Sequence, residues 1–417
     1  MNKTSSPALT SRFLALALAA SLGSLGALGS AGCQNKPVAQ PPEAKKKDFG
    51  HALTDGESGL RKLSPAEIPD MNEVMAQYND AGFRQSLARS VAWYAKKSSV
   101  GKFPRSTISF DKASASASAF QTIVTSSNNK EEAIRRIREQ FDVYASVGCD
   151  NEGSVLFTGY HSPIYSASKE KSAQFQNPIY KRPSDLPPSD EVDSARDASR
   201  NYATRSELCD SGKLNGLELV YLPEVLDAYA IEVNGSAKLR MPDGNDLYVG
   251  FHGTNGRPYT SIGRLLVADG KISPDRISIQ AIRGYFAAHP AELQGYIRRN
   301  DRMPFFTEYT ADSWPAGCLG FQVTANRSLA TDKSVFPPAS VAWVRTSGDN
   351  ATGKIKPIDQ LMMDQDAGGA IRAAGRADLY FGTGPEAEKW AGDLAVEGKL
   401  YYFFLKDDFM PAKPSAK

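Results

Sequence analysis

Through 70–97, and again through 130–146 where Ile134, Ile137, Phe141 and Tyr144 follow one another, apolar residues recur every three or four positions, a spacing that predicts two amphipathic helices. Further on, the apolar residues come in short β-branched or aromatic runs closed off by Gly, Pro, Asn or Asp. Those at 217–221, 229–233 and 247–251 predict strands, and most of the remaining chain reads the same way. One helix interrupts them at about 274–288, with Pro274 near its first turn and His289-Pro290 at its end. No internal repeat is visible. The pattern predicts a mostly β chain with flanking helices.

Candidate chemistry sits near the C-terminal end. Asp366-Ala367-Gly368-Gly369 reads as a tight turn in which the backbone, bare of side chains, can come close to a neighbour or ligand. Ala377-Asp378-Leu379-Tyr380-Phe381 follows as a short strand. Its period of two puts Leu379 and Phe381 on one face and Asp378 and Tyr380 on the other, so a carboxyl and an aromatic ring look into the same space. That pairing suits a sugar-cleaving cleft, because rings stack on sugars and a desolvated carboxyl can act as general acid. The plainer reading is a turn Asp and a strand Asp held by backbone N–H groups.

The 417 residues, 23% of them charged, are enough for two domains with their own cores, and a net charge of +2 argues against a strongly basic nucleic-acid binder. Residues 1–33 read as an export signal, with Lys3 and Arg12 ahead of an Ala/Leu-rich run at 13–28. That run is rich in Gly and Ser and falls short of the roughly 20 apolar residues that a membrane span requires. The signal ends Ser30-Ala31-Gly32-Cys33, similar to a bacterial lipobox, which predicts lipid attachment at Cys33; an ordinary signal peptide cut nearby is the alternative. Gln34 follows, not the Asp that retains some lipoproteins at an inner membrane, so the expectation is an exported lipoprotein on the periplasmic side of the outer membrane. Residues 34–60, with Pro37, Pro41, Pro42 and the run Lys45-Lys46-Lys47, read as a flexible tether.

Cys149, Cys209 and Cys318 contain no C-x-x-C and read as buried thiols, with room for one disulfide in an oxidising compartment. His51, His161, His252 and His289 lie far apart without an i, i+4 pair, so no metal and no cofactor is expected. Ser166-Ala167-Ser168-Lys169 matches S-x-x-K, but S-D-N and K-T-G are both absent, as are G-x-S-x-G, a P-loop and a G-x-G-x-x-G after a strand. Acyl transfer, nucleotide hydrolysis and dinucleotide chemistry therefore lack their parts.

Blocks spread from about Val155 to Leu405 stand in the order of a known family. They are Phe157-Thr158-Gly159-Tyr160, Tyr180-Lys181-Arg182-Pro183, Thr204-Arg205-Ser206-Glu207-Leu208, Asn234-Gly235-Ser236, Met241-Pro242-Asp243-Gly244 and Asn255-Gly256-Arg257-Pro258-Tyr259-Thr260-Ser261-Ile262-Gly263-Arg264. Ile279-Gln280-Ala281-Ile282-Arg283, Arg327-Ser328-Leu329-Ala330-Thr331-Asp332 and the Asp366 to Asp378 stretch with Gly382-Thr383-Gly384 complete the set. The chain resembles the membrane-bound lytic murein transglycosylase A (MltA) family, with its C-terminal three-aspartate (3D) domain.

The resemblance implies a six-stranded double-psi β-barrel with helices at its side, built from 61–165 and 309–410. A second β domain at 166–308 would be inserted into it, with a substrate groove between the two. It implies an exo-acting lytic transglycosylase, a carbon–oxygen lyase that cuts the β-1,4 bond between N-acetylmuramic acid and N-acetylglucosamine in peptidoglycan and leaves 1,6-anhydromuramyl ends. By position Asp378 matches the single acid, which would first protonate the leaving oxygen and then take the proton of the attacking C6 hydroxyl. Asp332 and Asp366 match the other two aspartates and would either support that acid or simply hold turns. Thr158, Tyr160, Tyr259, Ser261, Gly368, Gly369 and Tyr380 are the candidates for positioning glycan. The implied partners are peptidoglycan strands and, through the lipid, a membrane. The family's usual Tyr-Tyr-Glu-Pro is Tyr160-His161-Ser162-Pro163 here, and its Gln-Gly-Ser-Gly is Asn234-Gly235-Ser236-Ala237, so the groove contacts differ while the acid block is intact. A non-catalytic wall-binding or scaffolding lipoprotein of the same fold is the second function class, and retention of Asp378 favours the enzyme.

Overall fold

A computed structural model describes residues 47–54, 56–187, 202–273, 276–277, 279–346 and 356–412. The expected signal, Cys33, most of the tether and Pro274 lie outside the described residues. The described part opens with β1 (Leu60–Lys62), α1 (Ala81–Tyr94), α2 (Lys97–Val100), α3 (Phe110–Ser126), α4 (Lys130–Gln140) and β2 (Phe141–Ser146). The single helix expected at 70–97 is instead a 3-10 turn, Val74–Gln77, followed by α1 and α2. It breaks where Asp80 and Lys96 take extended backbone, and the Asp80 carboxylate accepts from Phe83 N–H to start α1.

The second expected helix stops at Gln140. Phe141 and Tyr144 belong to strand β2, because burial there alternates, with Phe141, Val143 and Ala145 inward, and the strand pairs with Ala395–Leu405 along the ladder Leu405↔Phe141. Helix α3 has no counterpart in the sequence reading. Its Ser/Ala-rich run hides a buried stripe of Ala113, Ala117, Phe120 and Val124 at helical spacing.

The middle of the chain supplies β3 (Val155–Ser162), β4 (Ile164–Ser166), β5 (Asn177–Tyr180), α5 (Arg205–Asp210), β6 (Glu218–Leu222), α6 (Val225–Asn234), β7 (Ser236–Arg240) and β8 (Asp246–Thr254). Helices α7 (Ile262–Ala268), α8 (Ile279–Ala288) and α9 (Leu293–Arg298) lead to β9 (Pro304–Tyr309). The expected strand at 229–233 is part of α6. Its apolar residues run without a polar face because Ala228 and Ile231 enter the core of the neighbouring sheet while Tyr229 joins Ile262, Leu266 and Phe286 on the other side. A helix buried on two sides imitates a short strand in sequence. It ends at Gly235, which takes the left-handed conformation at φ 76°.

The last part is β10 (Ser328–Thr331), β11 (Val341–Thr346), β12 (Asp359–Asp366), β13 (Arg376–Thr383), α10 (Pro385–Asp393) and β14 (Ala395–Leu405). Strands β14, β11, β12, β10, β13 and β3 follow one another, and a further pairing of β14 with β3 closes them into a ring. Two pairings, β10 with β12 and β13 with β3, are parallel. Phe157, Leu329, Ala342, Met362, Leu379 and Val396 pack in the core of that ring. The sheet β4-β7-β8-β9 and the antiparallel two-stranded sheet β5-β6 form a second body with its own core around Val220, Leu239 and Phe306. No disulfide joins Cys149, Cys209 and Cys318, and Cys209 is exposed, contrary to the buried thiols expected.

Candidate active site

The register of the ring sets up the site. Ala330 on β10 pairs with Asp366 on one side and with Asp378 on the other, and Asp378 pairs in turn with Thr158 on β3. Asp366, Ala330, Asp378 and Thr158 thus form one row across four adjacent strands, with the two acids two strands apart, about 10 Å between their backbones. Asp378 and Tyr380 both line a cavity of about 270 Å³, as the alternation along the strand predicts.

The walls of that cavity come from both bodies. Tyr160, Asp366, Gly368, Gly369, Asp378 and Tyr380 line it from the ring, and Arg205, Tyr229, Glu232, Tyr259, Asn300 and Arg302 line it from the second body. At Gly369 an added Cβ would lie 3.1 Å from Nε of Arg302, so the bare backbone is what lets the arginine approach. Gly159 does the same for α10, where a Cβ would meet Cα of Ala391 at 2.8 Å.

The two carboxyls have different surroundings. Asp366 is engaged at both oxygens: Tyr160 Oη donates to Oδ2 at 2.7 Å, and the N–H groups of Cys318 and Ala367 donate to Oδ1 at 2.8 and 2.9 Å. Burial raises its pKa, and these three donors oppose the rise. Asp378 has a solvent-shielded Oδ1 with no hydrogen-bond partner in the protein. Burial pushes its pKa up to about 6; a hydrogen bond from Thr158 and the charge of Arg376 pull the other way, and Asp366 adds to the rise. A carboxyl so placed keeps its proton in the mildly acidic range, where an ordinary aspartate has lost it, and can give it up.

The tyrosines form the floor. The rings of Tyr160 and Tyr380 lie 5.0 Å apart, and the Tyr380 hydroxyl contacts Ser162 Oγ at 3.0 Å, which contacts Ser236 Oγ of the second body at 2.8 Å. Tyr380 is therefore a buried wall and a link between the bodies. Tyr259 is half-buried at the cavity edge, its hydroxyl bonded to Tyr229 and Ser261.

Two expected site residues stand elsewhere. Ser261 does not line the cavity; its hydroxyl accepts from Arg264 N–H and caps α7. Asp332 is also off the cavity: Oδ1 accepts from the N–H and hydroxyl of Ser334, and Oδ2 accepts from Ala373 N–H at 2.8 Å, the bonds of a turn aspartate. Thr158 is beside Asp378 without lining the cavity itself, and donates and accepts behind the acid. Of the S-x-x-K match, Ser166 ends β4 and Lys169 is held in an ion pair with Glu308 at 2.8 Å.

Sequence reasoning missed the buried ion pair of Arg205 and Glu232, whose side chains are 4% and 9% exposed. Arg205 Nε also donates to the Asn300 carbonyl at 2.9 Å. A signal was present, since Thr204 and Glu207 form a capping box that fixes Arg205 at the first turn of α5. Also missed was Lys333, fully buried against Asp364, which accepts as well from Thr331 and Tyr402.

The model of the MltA specific insert domain matches residues 156–307 and that of the 3D domain matches 327–404. Membrane-bound lytic murein transglycosylase A of Escherichia coli (strain K12) is 30% identical over 264 residues, which cover 62% of this chain and 68% of that protein. Its counterpart in Vibrio cholerae is 29% identical over 276 residues, covering 64% and 71%. In fold, the chain is similar to the crystal structure of a membrane-bound lytic murein transglycosylase from Agrobacterium tumefaciens, with TM-score 0.68, 23% identity and coverage of 83% of this chain and 98% of that one. E. coli MltA with bound chitohexaose follows at TM-score 0.63, 24% identity and coverage of 86% and 99%. A closed ring with a 3D domain, joined to an inserted β body across an acid-bearing cavity, defines the class. The chain belongs to the membrane-bound lytic murein transglycosylase A family.

Proposed function

We propose that the protein is a peptidoglycan lytic transglycosylase that cleaves the β-1,4 bond between N-acetylmuramic acid and N-acetylglucosamine and leaves 1,6-anhydromuramyl ends, with Asp378 as its one acid and base. The observation that carries this reading is the contrast of the two carboxyls: both oxygens of Asp366 are taken by donors, while Asp378 keeps an unengaged oxygen and a pKa raised to about 6. Inverting and retaining glycosidases each need a second working carboxyl, to activate water or to attack the sugar. A substrate hydroxyl removes that need.

In this mechanism Asp378 enters protonated and gives its proton to the bridging oxygen as the C1–O bond breaks. The muramyl C6 hydroxyl then attacks C1, and its proton passes to the Asp378 carboxylate, which restores the acid. The nucleophile arrives with the substrate, so the protein contributes orientation. Tyr160 and the Gly368-Gly369 backbone line one wall and Tyr259 the other, which supports them as the groups that hold the sugars. The sequence relatives are lytic murein transglycosylases by name, and the E. coli fold neighbour carries chitohexaose, which supports glycan strands as the substrate.

The reading extends to architecture and address. The closed ring with two parallel pairings supports a double-psi barrel made of 61–165 and 309–410 with 166–308 inserted. The Ser30-Ala31-Gly32-Cys33 motif supports a lipid anchor at Cys33 and a place at the periplasmic side of the outer membrane. The test is to digest purified murein and identify the products by mass spectrometry. Anhydromuramyl ends are expected from the wild type, and Asp378→Asn should lose turnover by roughly 10²–10⁴-fold or more while glycan binding survives. Reducing ends, or near-normal turnover in the variant, would overturn the assignment.

A further inference from the structure

Behind Asp378 stands a charged group that the mechanism above does not use. Arg376 lies two residues earlier on β13, hence on the same face, and is half-buried. Its Nη2 donates to Thr158 Oγ1 at 3.0 Å, and Thr158 is the cross-strand neighbour of Asp378. Its Nε is buried with no hydrogen-bond partner in the protein, like Oδ1 of Asp378. No ion pair joins the guanidinium to the carboxyl, although both sit on one face of one strand. The guanidinium instead spends a donor on the hydroxyl that itself bonds the acid.

We propose that Arg376 is a positioning residue for Asp378, holding the acid through Thr158 and favouring the carboxylate with its charge once the proton has left. A direct ion pair would keep the carboxyl ionised and useless as an acid. No positive charge at all would leave it holding its proton too tightly to give it up. A guanidinium one hydroxyl removed satisfies both halves of the cycle, because its pull matters most when the carboxyl is charged. The other groups around the pair work with this arrangement. Tyr160 of β3 spends its proton on Asp366 of β12, and Tyr380 spends its hydroxyl on Ser162. The like charge of Arg264 on α7 acts against that of Arg376.

The inference rests on Asp378 being the acid, and the test separates the two. The pH dependence of murein solubilisation is measured for the wild type, Arg376→Gln, Arg376→Lys and Asp378→Asn. The wild type loses activity as pH rises through the pKa of Asp378, near 6. Arg376→Gln keeps a donor for Thr158 without the charge, and should move that falling limb up by about one pH unit while lowering the maximal rate. Arg376→Lys should bring the limb back. A purely structural arginine would change amplitude and melting temperature and leave the limb where it is, so an unmoved limb in Arg376→Gln overturns the inference. If Arg376→Gln does not fold, Arg376→Met removes the same charge with an apolar side chain and leaves Thr158 in place: an upward limb supports the inference and an unmoved limb refutes it. If Asp378→Asn remains active, the acid assignment fails. If that variant is dead and the limb is unmoved, only the role of Arg376 falls.

Discussion

Asp366 and Asp378 stand on either side of Ala330 in one row of the barrel, two strands apart, and only one of them is committed to hydrogen bonds at both oxygens. Their division of labour follows from their neighbours, since the residue type is the same. Tyr160, Cys318 and Ala367 hold both oxygens of Asp366 in place, while Asp378 keeps a shielded oxygen without a partner.

Tyr160→Phe tests that difference. It removes one hydrogen-bond donor from the Asp366 carboxyl and leaves the two backbone N–H groups. Leaving a buried acceptor without its partner costs about 1–3 kcal/mol, which thermal unfolding should register. Turnover should fall by no more than roughly tenfold, far less than for Asp378→Asn, because the acid itself is untouched.

Asp378→Asn should also change how stability depends on pH. The folded pKa of about 6 lies above the ordinary 3.8, so the folded protein binds the proton more tightly than the unfolded chain. The native carboxyl is at its most favourable below pH 4, and its contribution is lost as pH rises through 6. The variant never carries the buried charge. Its stability should therefore match that of the wild type at pH 4 and exceed it at pH 8, by about 2–3 kcal/mol at most. Denaturant melts at the two pH values decide this, and a gain at pH 4 equal to that at pH 8 would refute it.

Glu232→Ala leaves Arg205 buried without its carboxylate, in a wall of the cavity. Breaking a buried pair in this way costs about 3–5 kcal/mol. The urea midpoint should drop accordingly, and substrate affinity should weaken more than the maximal rate, since the acid stands on the other wall.

Gly317→Ala should disturb the Asp366 anchor by crowding. The new Cβ would lie 2.8 Å from the Gln365 carbonyl oxygen and 3.2 Å from Cγ of Asp366. Overpacking of this kind costs about 1–3 kcal/mol. Gly284→Ala is the control: it lies in α8 with nothing within 4 Å of the added carbon, and its melting temperature should hold or rise.

Cys33→Ser addresses the anchor. If Cys33 carries the lipid, the wild type partitions with membranes and the variant appears in the soluble periplasmic fraction; identical partitioning would remove the proposal.

Most of what places Asp378 in the cavity wall could be read from the chain because it is local. The alternation at 377–381 puts Asp378 and Tyr380 on one face, and the same strand appears in the fold. The turn at Asp366 to Gly369 likewise lines the cavity. What stayed hidden depends on partners distant in sequence. Nothing around Thr158 says that it faces Asp378, because a parallel ladder sets that register. The apolar run at 229–233 reads as a strand only until two different cores are known to need opposite sides of α6. Phe141 and Tyr144 continue a helical spacing by coincidence, and β14 claims them. Ser261 looks like a sugar ligand in a glycine- and tyrosine-rich block, yet its hydroxyl is needed by α7.

The hydrogen bond between Arg376 and Thr158 spans 218 residues, and the whole inserted body lies within that span. A chain leaving the ribosome therefore carries no complete site until nearly all of it has been made. Closing so long a loop costs on the order of 5 kcal/mol if the intervening chain is loose. Prior folding of the insert brings its two ends together and shortens the effective loop. Chain connectivity thus makes the site one of the last features of the protein to be assembled, when the final strands join the first.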